Sequence, residues 1–130
     1  LQKTILIVED EFLIALDLEL LLQRHGWRVM GPVATVRDAL RLLEEELPLV
    51  ALLDVNLGRE LVTPVAETLK ARGIPFILAS AYERPEKIGG DVLAGVPNVG
   101  KPTREHRLLA VLAQLQHSPS FLELKATRPD

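Results

Sequence analysis

Four short stretches hold the side chains best suited to chemistry: Glu9-Asp10-Glu11, Asp54-Val55-Asn56, Ser80-Ala81-Tyr82 and Lys101-Pro102. Carboxylates brought close together repel one another unless a cation or a proton joins them. A hard divalent ion such as Mg²⁺ takes oxygen ligands, keeps several waters, and is held by one or two carboxylates plus phosphate oxygens. If the four stretches meet, Asp10 and Asp54 are the direct ligands and Glu9 acts through a metal-bound water. Asn56, two residues past Asp54, turns its backbone carbonyl to the metal. Lys101 pairs with Asp54 at rest and with phosphoryl oxygens afterwards. Ser80 donates a hydrogen bond to a phosphoryl oxygen. This set suits phosphoryl transfer, which requires positioning and the neutralisation of spread negative charge. The acceptor is a carboxylate, which forms an acyl phosphate. An ionised carboxylate has no proton to lose, so no histidine base is needed. His25, His106 and His117 lie outside all four stretches.

Whether the stretches meet depends on the elements between them. Each follows an apolar run: Ile5-Leu6-Ile7-Val8, then Val50-Ala51-Leu52-Leu53, then Ile74 to Ala79, and a weak run from Val96 to Val99. Trp27 to Met30 makes one further, less buried run. Continuous apolar runs indicate strands covered on both faces, as in a parallel sheet. Helical spacing fills the gaps. Phe12 to His25 carries Ile14, Leu18, Leu21 and Leu22 on one face. Thr35 to Glu46 opens with Thr35 as N-cap and Asp38 three residues on. Glu60 to Ala71 stops at Arg72-Gly73. Thr103 to Gln116 has Thr103 as its N-cap. The segment Glu83 to Gly95 contains Pro85 and Gly89-Gly90, so its helix should be short and weakly held.

The alternation predicts an α/β, flavodoxin-like (βα)5 fold with a five-stranded parallel sheet in the order 2-1-3-4-5. In open parallel sheets, ligands bind beyond the carboxyl ends of the strands near the switch in strand order. The four polar stretches all fall there. The expected organisation is a domain over residues 1–117 and a tail over 118–130, with a small apolar cluster at Phe121, Leu122 and Leu124. The 130 residues and 48% apolar content suit one core. The net charge of −3 gives no basic footprint for nucleic acid or an anionic membrane. No segment has the length of a membrane span. The absence of cysteine excludes disulfides and Cys-ligated metal, and suits the cytoplasm.

Together, in order, the VEDE, LLDVNL, post-strand Ser and KP patterns resemble the receiver domains of two-component response regulators, over about Lys3 to Gln116. The resemblance implies that Asp54 is the phospho-acceptor, Glu9 and Asp10 the acid pair, Ser80 the switch hydroxyl and Lys101 the paired lysine. It also implies a Mg²⁺ cofactor, and a histidine kinase or histidine phosphotransfer protein as partner. The implied role is a phosphorylation switch rather than an enzyme, with output through protein contacts or as a phosphate sink. Pro75 to Tyr82, PFILASAY, resembles the signature of the FATGUY subfamily of stand-alone receivers, as do Gly31-Pro32, Thr35 and LLDVNLG. Ser80, Ala81 and Leu78 depart from that signature. Many receivers also carry an aromatic residue three positions before the lysine, where this chain has Asn98. Tyr82 then stands as either an alternative signal element or a packing residue.

Plainer roles compete at several positions. Glu11 reads as a first-turn acid facing solvent, His25 as a core or boundary histidine, and Trp27 as strand-edge packing. Leu13, Leu16 and Leu20 form a second apolar stripe on the first helix. Either neighbouring elements cover it, or it is a docking face for the kinase. Two other functions fit parts of the pattern. A pseudo-receiver adaptor would bind partners without phosphorylation. A haloacid-dehalogenase-type phosphatase would need an acid where Asn56 stands, and asparagine cannot protonate a leaving group.

Overall fold

The computed structural model describes residues 3–117. The expected tail, with Phe121, Leu122 and Leu124, lies outside the described residues. Among the described residues, six strands and five α-helices follow in order: β1 (Thr4–Val8), α1 (Phe12–Arg24), β2 (Arg28–Val33), α2 (Val36–Glu45), β3 (Val50–Leu53), β4 (Asn56–Leu57), β5 (Glu60–Leu61), α3 (Thr63–Ala71), β6 (Phe76–Leu78), α4 (Glu86–Gly89) and α5 (Glu105–Gln116). A single 3₁₀ turn, Asp91–Leu93, follows α4. The fold is the expected flavodoxin-like α/β arrangement.

The main sheet is parallel, in the order β2-β1-β3-β6. β1, β3 and β6 bury both faces, so alternate residues feed two cores, while β2 at the sheet edge buries only Met30. Leu6, Val8, Ala51, Leu53, Phe76 and Leu78 face α2 and α3. Ile5, Ile7, Val50, Leu52 and Ile77 face α1 and α5, together with Trp27 and Leu108. This period of two explains why the runs read as continuously apolar.

Four local expectations change. The fifth strand is reduced to one parallel bridge between Leu78 and Asn98, because Pro97 and Gly100 interrupt a run of only four residues. Glu60 does not open the third helix. It lies in an antiparallel hairpin, β4–β5, turning at Gly58-Arg59, while its Oε2 accepts from Val36 N at the start of α2. Thr103 is not the cap of α5. Arg104 holds that position, and the Thr103 hydroxyl donates to Gly100 O. His25 is exposed at the end of α1, next to Glu105, rather than buried. Other local signals hold: Thr35 caps α2 by accepting from Asp38 N at 3.1 Å, and α4 has only four residues.

The two expectations for the second stripe of α1 also separate. Phe12, Leu13, Leu16 and Leu20 are all exposed, the first two at 76% and 71%. Glu105, at the start of α5, meets His25 at the far end of α1. Leu115, near the end of α5, lines a groove with Gly73, Pro75 and Phe76. The first half of α1 therefore keeps its second apolar face.

Candidate functional site

Strand register brings the four polar stretches to one rim. Val8 pairs with Leu53, and Leu53 with Leu78. Asp54 N donates to Val8 O and Ala79 N to Leu53 O, both at 2.9 Å. Glu9, Asp54 and Ala79 are thus level with one another. Glu9 N is tied on its other side to Val33 O, also at 2.9 Å. The rim opens into a cavity of about 290 Å³ lined by Asp10, Glu11, Asp54, Asn56, Gly58, Ser80, Ala81, Tyr82 and Lys101.

Lys101 is the centre of charge in this cavity. Its Nζ lies 3.1 Å from Asp54 Oδ2, 3.3 Å from Glu9 Oε1 and 2.9 Å from Glu11 Oε1. The expectation that Glu11 faces only solvent is therefore incomplete, since the exposed carboxylate folds back onto the lysine. Burial works against the Lys101 ammonium, but its bonds to Glu11 and Asp54 outweigh that and raise its pKa above the ordinary lysine value. Glu9 is 3% exposed. Burial pushes its pKa up to about 7; the Glu11 backbone N–H opposes the rise and the Asp54 charge adds to it. Burial also raises the Asp54 pKa, against the pull of Glu9 and Lys101.

The donor set fits a divalent cation. Glu9, Asp10 and Asp54 each place a carboxylate oxygen within 4.8 Å of the others. The Glu9 Oε1 atom is buried and accepts no hydrogen bond among the described residues. An all-oxygen set of three carboxylates beside a single lysine carries the excess negative charge that a hard cation neutralises. Asn56 stands at the mouth, where its Nδ2 donates to the Tyr82 hydroxyl. Ser80 is buried, and its Oγ accepts from Tyr82 N at 3.0 Å.

No protein-family model matches the chain. It is 34% identical over 114 residues to the phyllosphere-induced regulator PhyR of Methylorubrum extorquens, covering 85% of this chain and 42% of PhyR. The chain thus spans less than half the length of the curated relatives it matches. Its fold superposes on a CheY-like receiver domain from Methanospirillum hungatei with a TM-score of 0.76 and 28% identity, covering 88% of this chain and 93% of that one. SdrG from Sphingomonas melonis matches with a TM-score of 0.73 and 38% identity, over 93% of this chain and 97% of SdrG. The chain belongs to the CheY-like response-regulator receiver family. As a receiver it is a signalling module rather than a catalytic enzyme. Among the receiver's described residues, no helix is long and apolar enough to cross a membrane.

Two residues of this rim escape a sequence reading. Glu11 looks like any acid opening a helix, and its reach to Lys101 depends on a partner ninety positions away. Asn98, three before the lysine, joins the Ser80 and Lys101 loops, and the sequence marks it only as a missing aromatic.

Proposed function

We propose that the chain accepts a phosphoryl group on Asp54 from a histidine kinase or histidine phosphotransfer protein, with Mg²⁺ bound by Glu9, Asp10 and Asp54 and by the Asn56 carbonyl. The observation that carries this reading is the 3.1 Å contact between Lys101 Nζ and Asp54 Oδ2 beside the three-carboxylate cluster. An ionised carboxylate faces an open cavity, and a fixed ammonium stands where phosphoryl oxygens would arrive. A carboxylate oxygen of Asp54 attacks phosphorus. The P–N bond of the donor phosphohistidine breaks, and the imidazole leaves with the electron pair. Mg²⁺ supplies positive charge against the phosphoryl oxygens and the acid cluster. Lys101 shifts from carboxylate to phosphoryl oxygen, and Ser80 turns its hydroxyl to donate to another. The signal passes by protein contact, or the chain drains phosphoryl groups from a shared kinase. The PFILASAY stretch supports placing the chain near the FATGUY type of receiver.

The test is incubation with acetyl phosphate and Mg²⁺, followed by intact-mass and peptide mass spectrometry. A single phosphoryl adduct on the Asp54 peptide, absent in Asp54→Asn and without chelatable metal, is the expected result. A folded protein that takes no adduct, or takes it elsewhere, would favour an adaptor that works without phosphorylation.

A further inference from the structure

Asn98 makes more hydrogen bonds at this rim than a loop residue needs. Its backbone forms the single bridge to Leu78 beyond β6. Its side-chain Oδ1 accepts from Ser80 N at 3.0 Å and from Gly100 N at 3.0 Å. Its Nδ2 donates to Tyr82 O at 3.1 Å. The bond to Gly100, two residues on, is an ordinary Asx turn. The bonds to Ser80 and Tyr82 are not local, for they cross to the other strand end. Ser80 in turn accepts from Tyr82 N at 3.0 Å. One amide therefore joins the loop carrying the Ser80 hydroxyl to the loop carrying the Lys101 ammonium.

We infer that Asn98 is a positioning residue for phosphoryl transfer to Asp54, a clasp that presents the Ser80 hydroxyl and the Lys101 ammonium to the incoming phosphoryl oxygens as one preset unit. The inference rests on the reading of Asp54 as acceptor. Only an amide fits all three roles. An apolar residue leaves the amides of Ser80, which is buried, and Gly100 without their acceptor. A serine satisfies the local turn but is too short to span to Ser80. A carboxylate cannot donate to Tyr82 O and adds charge beside the acid cluster. Misplacing either phosphoryl-contacting group costs rate, because the transfer depends on preset geometry. The metal ligands Glu9, Asp10 and Asp54 follow β1 and β3, so displacing Lys101 removes a competing cation from Glu9 and Asp54 rather than a ligand.

The experiment compares Asn98→Ser and Asn98→Leu with the unmutated chain, using acetyl phosphate and Mg²⁺. Saturating phosphorylation rate, Mg²⁺ affinity by calorimetry and Ser80 amide exchange by NMR are read together. The expected result is a rate loss of about tenfold or more in both variants. Mg²⁺ affinity does not fall by more than about twofold, because its ligands are carried elsewhere, and Ser80 exchanges faster. A folded Asn98→Ser with the unmutated rate overturns the inference, since the turn alone would then suffice. So does a parallel loss of Mg²⁺ affinity, which would mark general disruption. If Asn98→Leu fails to fold, Asn98→Ser decides. An unmutated chain that takes no phosphoryl group on Asp54 removes the parent reading, and this inference with it. A chain that is phosphorylated normally but indifferent to Asn98 removes the clasp alone.

Discussion

Lys101 stands among three carboxylates, and under the proposed function their competition for one ammonium sets how freely it can serve an incoming phosphoryl group. Glu11 makes the shortest of the three contacts, 2.9 Å, yet its side chain is 59% exposed. An exposed ion pair of that kind contributes only about 0.2–1 kcal/mol. Replacing it should leave the fold intact while loosening Lys101 from a partner that has no place in the transfer itself. Glu11→Gln is thus expected to speed phosphorylation of Asp54 by acetyl phosphate by about two- to fivefold, the factor to which the upper part of that range corresponds. A slower reaction would show that Glu11 aims the lysine rather than diverting it. The rim residues Glu9, Asp10, Asp54, Ser80 and Lys101 were legible because each lies within two residues of the end of an apolar run, and strand ends are ordered by the fold. Glu11 and Asn98 were not, because their roles arise from partners far along the chain and neither sits in a periodic pattern.

At the scale of elements, β2 shows how a backbone detail reaches the site. Its pairing with β1 shifts register between Leu6 and Val8, and Gly31 occupies the irregularity with φ of +88°. A Cβ there would meet Val33 N at 2.7 Å and Ile7 O at 3.0 Å, both backbone atoms that cannot move aside. Gly31→Ala should therefore destabilise the chain by about 2 kcal/mol or more, measured by urea unfolding. It should also disturb the Glu9 N to Val33 O bond that holds the acid pair. Unchanged stability would mean the strand can relax around the new methyl. The exposed stripe of α1 carries the opposite expectation. Leu13 is open to solvent, so Leu13→Glu should leave stability within roughly 0.5 kcal/mol. If the stripe docks a kinase, transfer from phosphohistidine slows by roughly fivefold or more while acetyl phosphate works as before. Equal slowing with both donors would exclude docking there. The long elements were readable from spacing, and α2 from its Thr35 cap as well. The β4–β5 hairpin was not, since strands of two residues hold no period, and the fifth strand shrank because proline and glycine broke its short apolar run.

For the whole molecule, the acid cluster makes stability depend on pH and on metal in a linked way. Glu9 holds its proton up to about pH 7 in the folded chain, against an ordinary value of 4.5. Between those values the folded state binds more protons than the unfolded state, so stability falls as pH rises through the window. Asp54, also raised from its ordinary 3.8, adds a change of the same sign. Lys101 stays charged throughout this window in both states and contributes no slope there. Above neutral pH, the folded chain must hold ionised carboxylates clustered around one ammonium. A divalent cation held by the clustered carboxylates would relieve that repulsion, and by favouring the folded form would stabilise it by mass action. Metal-free protein should thus lose several degrees of Tm between about pH 5 and about pH 8. Saturating Mg²⁺ should restore most of the loss at the upper end and little at the lower end, where protons compete for the same oxygens. Glu9→Gln, neutral at every pH, should flatten the metal-free profile. A metal-free Tm that rises over this range, or a Glu9→Gln profile as steep as the parent's, would show that the buried carboxyl does not govern the balance.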